Sequence, residues 1–171
     1  MFTFISGNAG LDFAGTVAHR RTDHIDLLAS PADLATWVVE AALLDSPPSV
    51  DSLDAAVGLR EAIYRLATGA GLDGDRELLN AFATRPPVEM SLGADGRVVR
   101  SGDLDAALAT VARESVEMLG GPLAARIKEC GDELCTRLYL DVSRAGSRKW
   151  CGMQECGNRA KAAAFRARQR V

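Results

Sequence analysis

The sequence predicts an α+β fold in which helices pack on a small antiparallel sheet, with a small C-terminal module of different construction behind it. Three observations lead there. Four stretches between residues 30 and 119 place apolar side chains at helical spacing. Short alternating stretches are separated by turn-forming residues such as Asp95-Gly96. All four cysteines of the 171-residue chain fall after residue 129.

Taken in order, Phe2-Thr3-Phe4-Ile5 and Leu11 to Val17 flank Gly7-Asn8-Ala9-Gly10, residues suited to a turn, and predict an N-terminal β-hairpin. Ser30-Pro31-Ala32-Asp33 opens the first helix: Ser30 can cap, Pro31 suits the first helical position and Asp33 faces the positive helix end. Leu34, Trp37, Val38 and Ala41 share its inner face. A second helix follows Pro47-Pro48-Ser49 and runs to about Thr68, with Leu53, Ala56, Val57, Ile63, Leu66 and Ala67 inward and Gly69 at its exit. A short helix spans about Asp75 to Thr84 and stops before Pro86-Pro87. Val88 to Leu92 and Arg97 to Arg100 form a hairpin around Gly93-Ala94-Asp95-Gly96. The last helix of the body, about Asp103 to Leu119, turns Leu104, Ala107, Leu108, Val111 and Ala112 inward and ends at Gly120-Gly121-Pro122. That break divides the chain into a body, residues 1–122, long enough to bury its own core, and a module, residues 123–171.

The cysteines define the module. Cys130 and Cys135, then Cys151 and Cys156, form two C-x4-C pairs with fifteen residues between them. Two knuckles joined by a segment of hairpin length can direct four thiolates to one tetrahedral ion, and that donor set suits Zn²⁺. Four unrelated buried cysteines, acting as small hydrophobes, are the alternative. Four thiolates close the coordination shell, so the metal is structural rather than hydrolytic. Thr136 to Asp141 reads as a strand leaving the first knuckle, Arg148-Lys149-Trp150 as the return to the second, and a helix opens at Cys156-Gly157-Asn158. The plan of knuckle, hairpin, knuckle and helix is treble-clef-like.

Charge divides at the same place. Residues 126–171 hold eleven Lys or Arg against five Asp or Glu, a balance of +6, which leaves nine against eighteen, −9, for residues 1–125. An acidic body with a basic end points to nucleic acid or a charged surface as partner, or to a solvated face. The richest apolar stretch, Leu34 to Leu44, falls short of the roughly 20 residues a bilayer requires, and the N-terminus has no secretory pattern. No membrane contact and a cytoplasmic address are therefore expected.

Trp150-Cys151-Gly152-Met153-Gln154-Glu155-Cys156-Gly157-Asn158-Arg159-Ala160-Lys161, with the Leu138-Tyr139-Leu140-Asp141 strand and Ser143 before it, resembles the CGNR zinc finger. The body resembles the ABATE domain, which precedes this finger in bacterial proteins classed as stress-induced transcription regulators. Its Leu-Asp-Phe-x-Asn-Thr-like landmark is matched by Leu11, Asp12, Phe13 and Thr16, with Gly15 where the pattern usually has Asn. The resemblance implies one structural zinc ion and a DNA-binding role that is itself inferred from the finger and its basic residues.

Candidate phosphate contacts are Arg159, Arg166 and Arg170 near one face of the last helix, Lys161 and Arg168 on a second row, and Arg148 and Lys149 ahead of the second knuckle. Asn158 and Arg159 can read adenine and guanine, or can bond the knuckle itself. His19, His24 and Asp12 offer a metal or acid–base site only if they converge; surface histidines and a turn carboxylate are the alternative. No H-E-x-x-H, G-x-S-x-G or CxxC motif is present, so an enzyme is not expected. Three readings follow: a zinc-dependent DNA-binding regulator whose body senses a ligand or holds partners, a zinc-stabilised protein-interaction module, and a body with its own small-molecule pocket. A homodimer is expected for the first, because one finger binds DNA weakly.

Overall fold

The computed structural model of the chain describes residues 1–169. Helices α1 (Ala9–Ala14), α2 (Pro31–Glu40), α3 (Asp54–Thr68), α4 (Asp75–Ala83) and α5 (Leu104–Gly120) build the body. Strands β1 (Val17–Ala18) and β2 (Ile25–Asp26) form one antiparallel ribbon, and β3 (Glu89–Leu92) and β4 (Val98–Ser101) a second. A third pairs β5 (Ile127–Glu129) with β6 (Leu138–Leu140), and α6 (Asn158–Arg168) follows the second cysteine pair. The class is α+β as expected, but its strands lie in three separate two-stranded ribbons among the described residues. Helices therefore pack chiefly on one another, around Phe13, Leu34, Trp37, Leu59, Ile63, Phe82, Leu108 and Val111.

The expected N-terminal hairpin is replaced by an extended segment leading into α1. Asn8 lies in extended backbone and its side chain accepts from the N–H groups of Gly10 and Leu11, which caps the helix. Close packing then fixes it: a Cβ on Gly10 would stand 2.0 Å from the Ser115 Oγ of α5, so only glycine lets the two helices approach this closely. Residues 10–14 are all buried. The local turn character of Gly7-Asn8 is real, since Gly7 has φ +80°, yet the chain leaves it as a helix.

Other boundaries follow their chemistry. Ser30 accepts from the Asp33 N–H and Pro31 opens α2. α3 begins at Asp54, later than its apolar pattern suggests, because Ser52 Oγ accepts from the Asp54 N–H and holds the preceding residues outside the helix. It ends on Gly69 at φ +75°, the left-handed position that glycine takes most readily. Asp103 caps α5 through the Ala106 N–H.

Between α3 and α4, the Arg65 fork donates two hydrogen bonds to Asp75, at 2.9 and 2.6 Å, and the Leu72 N–H adds a third at 2.8 Å. The Arg65 guanidinium holds the Asp75 carboxyl down to about 2. A carboxyl depressed in the folded state contributes stability that is complete above its unfolded value near 3.9 and fades as pH falls toward the folded value. Urea titrations between pH 5 and 2 should therefore show Asp75→Asn with a shallower acid loss of stability than the parent; identical slopes would mean that the pair contributes nothing.

Candidate metal centre

The first cysteine pair occupies the turn that joins β5 to β6. The Cys130 N–H donates to Arg137 O at 3.0 Å and the Cys135 N–H to Asp132 O at 2.9 Å, which folds the first knuckle. The Gly131 N–H donates to Lys149 O at 2.8 Å and ties this knuckle to the second. A Cβ on Gly131 would stand 3.0 Å from that carbonyl and 3.3 Å from the Trp150 ring, so the junction is built for glycine. The segment Arg148-Lys149-Trp150 does not pair as a returning strand: β6 is matched to β5, which precedes the first knuckle. A wide π-type turn, Met153–Gly157, then carries Cys156 to the start of α6, which begins at Asn158.

Through this path the four Sγ atoms come within 4.8 Å of one another. Cys135 and Cys151 are 3.7 Å apart, Cys151 and Cys156 3.6 Å. A tetrahedron with Zn–S bonds of about 2.3 Å has S–S edges of about 3.8 Å. All four thiols are free, and a disulfide needs sulfurs about 2.05 Å apart. Four sulfurs with these separations fit one structural Zn²⁺ ion.

The electrostatics of the cluster agree. The contact with the Cys151 sulfur pulls the Cys135 thiol down to about 5, whereas the same contact, with burial, pushes Cys151 far up. Burial pushes Cys156 up to about 12. One thiolate forms readily here and four do not, unless a divalent cation compensates their charge. The Cys151 N–H donates to Cys130 Sγ at 3.4 Å and Arg159 Nη2 to Cys156 Sγ at 3.1 Å, so donors are already directed at the sulfurs. Tyr139 and Trp150 pack over the cluster and limit its contact with water.

The centre is fastened to the body by β6. Leu138 and Leu140 point to Leu11 and Met118, while Tyr139 points to the cysteines, so one strand is a wall of both clusters. The segment before α1 lies against it: the Leu140 N–H donates to Ser6 O at 2.8 Å, and Arg137 Nη1 to Thr3 O at 3.0 Å. Ile5 packs against the cysteine cluster.

Arg148 joins these parts. Its guanidinium donates to Trp150 O at 2.9 Å, to Ile5 O at 3.2 Å and to Cys151 O, and lies 4.2 Å over the Tyr139 ring. Asp141, fully buried, accepts from Lys128 Nζ at 2.7 Å, from the Ser143 hydroxyl and from the Arg148 N–H at 3.0 Å. The Lys128 ammonium, then the Ser143 hydroxyl, hold its carboxyl far below the ordinary carboxylate range. Neither role is visible in the sequence, although the uninterrupted apolar run Leu138-Tyr139-Leu140 is the signature of a strand covered on both faces.

The basic residues singled out in the sequence separate into two groups. Arg148 is engaged inside the finger, and Arg159 forks between Asp132 at 2.9 Å and Cys156. Lys149, Lys161, Arg166 and Arg168 are exposed and make no ion pair among the described residues. Arg170 lies outside the described residues. Asn158 Nδ2 donates to Gln154 O at 3.1 Å, the local backbone contact. His19, His24 and Asp12 do not converge: Asp12 is buried and accepts from the Ile5 and Ser6 N–H groups, whereas His24 is exposed and His19 approaches Asp23 at 3.8 Å.

The fold and this cluster define a zinc-finger protein with a mainly helical N-terminal domain. The family model ABATE, described as "Putative stress-induced transcription regulator", matches residues 7–122, and the CGNR zinc finger model matches residues 126–169. The chain belongs to the ABATE family and carries a CGNR zinc finger behind the ABATE domain. No curated protein matches it.

Two outcomes are expected. Arg148→Ala leaves partly buried carbonyls without donors and should cost about 1–3 kcal/mol in urea unfolding, with Arg148→Lys little better because an ammonium lacks the planar fork; a loss below about 0.5 kcal/mol would contradict the joining role. Chelation of zinc should shift the indole N–H resonance of Trp150, which covers the cluster, far more than that of Trp37 in the body core; equal shifts, or none, would separate Trp150 from the metal site.

Proposed function

We propose that the chain is a zinc-containing DNA-binding regulator, with the finger on DNA and the acidic domain available for ligand sensing or partner contacts. The observation that carries the reading is the exposed cationic set Lys149, Lys161, Arg166 and Arg168 on a module of balance +6, beside a body of −9. Duplex phosphates are attracted to the finger and repelled from the body, which orients the encounter. Arg148 and Arg159, engaged within the finger, keep that surface in place rather than extend it. Arg170, by its charge and sequence position alone, is counted with the set. Two copies on paired half-sites would supply the affinity that one finger lacks.

A second reading, a protein-interaction module, is favoured by Leu134, Met153 and Phe165, three apolar side chains that are each more than half exposed on the finger. One experiment separates the two. Selection from a random DNA pool should enrich bound sequences, and binding should weaken steeply with salt. Replacing Lys149, Lys161, Arg166 and Arg168 by Ala should flatten the slope of log Kobs against log salt by up to about 3.6, at about 0.9 per phosphate contact. Retention without enrichment or salt dependence, together with a co-purifying protein, would move the finger to the second reading.

A further inference from the structure

Between the N-terminal segment, α1, the end of α2, the β3–β4 ribbon and α5 lies an open cleft of about 640 Å³. Its size is that of a small-molecule site. Phe4, Trp37, Leu43 and Val88 give it an apolar lining. Phe4 is 38% exposed and its ring stands 6.2 Å from that of the fully buried Trp37, so one aromatic residue is presented and the other supports it.

Two carboxylates flank these rings. Glu40, at the end of α2, is exposed and makes no ion pair among the described residues. Glu114, on α5, uses Oε2 to accept from the Ala9 N–H at 3.2 Å, and no hydrogen bond reaches its Oε1 among the described residues. Asp12 also borders the cleft, but its Oδ1 accepts from the Ile5 and Ser6 N–H groups and lies 3.9 Å from the Arg137 guanidinium, so its charge is already matched within the protein. Arg100 is the one cationic side chain of the lining, on the ribbon.

We propose that this cleft binds a small organic cation: an ammonium group joined to an apolar or aromatic body. Carboxylates on the walls and the face of an aromatic ring attract the same charge, and the apolar lining takes the remainder of the molecule. An anion would meet Arg100 on the lining, against the Glu40 and Glu114 carboxylates and an acidic domain. The site also has a mechanical neighbour. Phe4 lines the cleft, while Ile5, the next residue, packs on the cysteine cluster and accepts from Arg148. Occupancy is thereby one residue away from the zinc module. The cation class rests on the sensing half of the proposed function, which it makes specific, and does not require that the finger bind DNA.

Zinc-loaded full-length protein is titrated by NMR with phenethylamine and, separately, with 3-phenylpropionate, probes of similar shape and opposite charge. The amine should give saturable shifts centred on Phe4 and the Trp37 indole, and the carboxylate should not. Glu40→Gln/Glu114→Gln, which keeps an acceptor for the Ala9 N–H, should weaken amine binding about tenfold or more at unchanged unfolding midpoint. Phe4→Leu should weaken it also, with the fold retained. No saturation by the amine, equal binding of both probes, or full affinity in the folded double variant would overturn the proposal. None of these results touches the DNA reading, which is measured without the amine.

Discussion

Four sulfur atoms within 4.8 Å of one another set the terms for the C-terminal third of this protein. Without a compensating cation the arrangement is electrostatically unfavourable, because burial and mutual repulsion oppose ionisation of more than one thiol. With zinc it becomes the point from which the knuckles, the turn at Met153–Gly157 and α6 are all positioned. Binding energy of the metal is here folding energy of the module. The closed shell of four thiolates leaves no position for a reacting water, so the ion shapes a surface and performs no chemistry on it.

That surface is not carried on a loose tether. β6 shares its two faces between the body and the metal cluster, and the extended segment before α1 is hydrogen-bonded along it. Arg148 donates to carbonyls of both the N-terminal segment and the second knuckle. A deletion of the first residues would thus strip partners from the finger as well as from the helical domain. The same segment presents Phe4 to the cleft on its other side. The metal centre and the cleft thus lie on either side of one extended segment.

Much of this is legible in the sequence, for identifiable reasons. Helices α2 to α5 announce themselves because their apolar residues repeat at helical spacing and their ends carry recognisable signals: Ser30, Gly69, Asp103. The metal centre is legible because four cysteines at paired spacing seldom occur except around one ion, and the CGNR segment sharpens it. α1 reads as a strand because six residues are too few to display a period. Its existence depends on the Asn8 cap and on the contact between Gly10 and Ser115, and the latter joins residues more than a hundred positions apart. The partner of β6 is hidden for a related reason, since local alternation does not say which neighbouring strand is paired. Arg148 reads as free charge in a basic run, and Arg159 reads equally as a base contact or as a contact with the knuckle. Only the fold shows that carbonyls, Asp132 and a cysteine sulfur already hold them.

The division of charge gains meaning from this arrangement. An acidic helical domain and a basic finger, joined through β6 and Arg148, carry net charges of opposite sign, on which the proposed polyanion for the finger and the proposed small cation for the domain both rest. All of it depends on the cysteine cluster being a single four-thiolate zinc site. Zinc K-edge X-ray absorption on the purified, metal-loaded chain tests this most directly. One zinc per chain with four sulfur neighbours at about 2.3 Å is the predicted result; a first shell containing nitrogen or oxygen, or substoichiometric zinc with the thiols reduced, would contradict it.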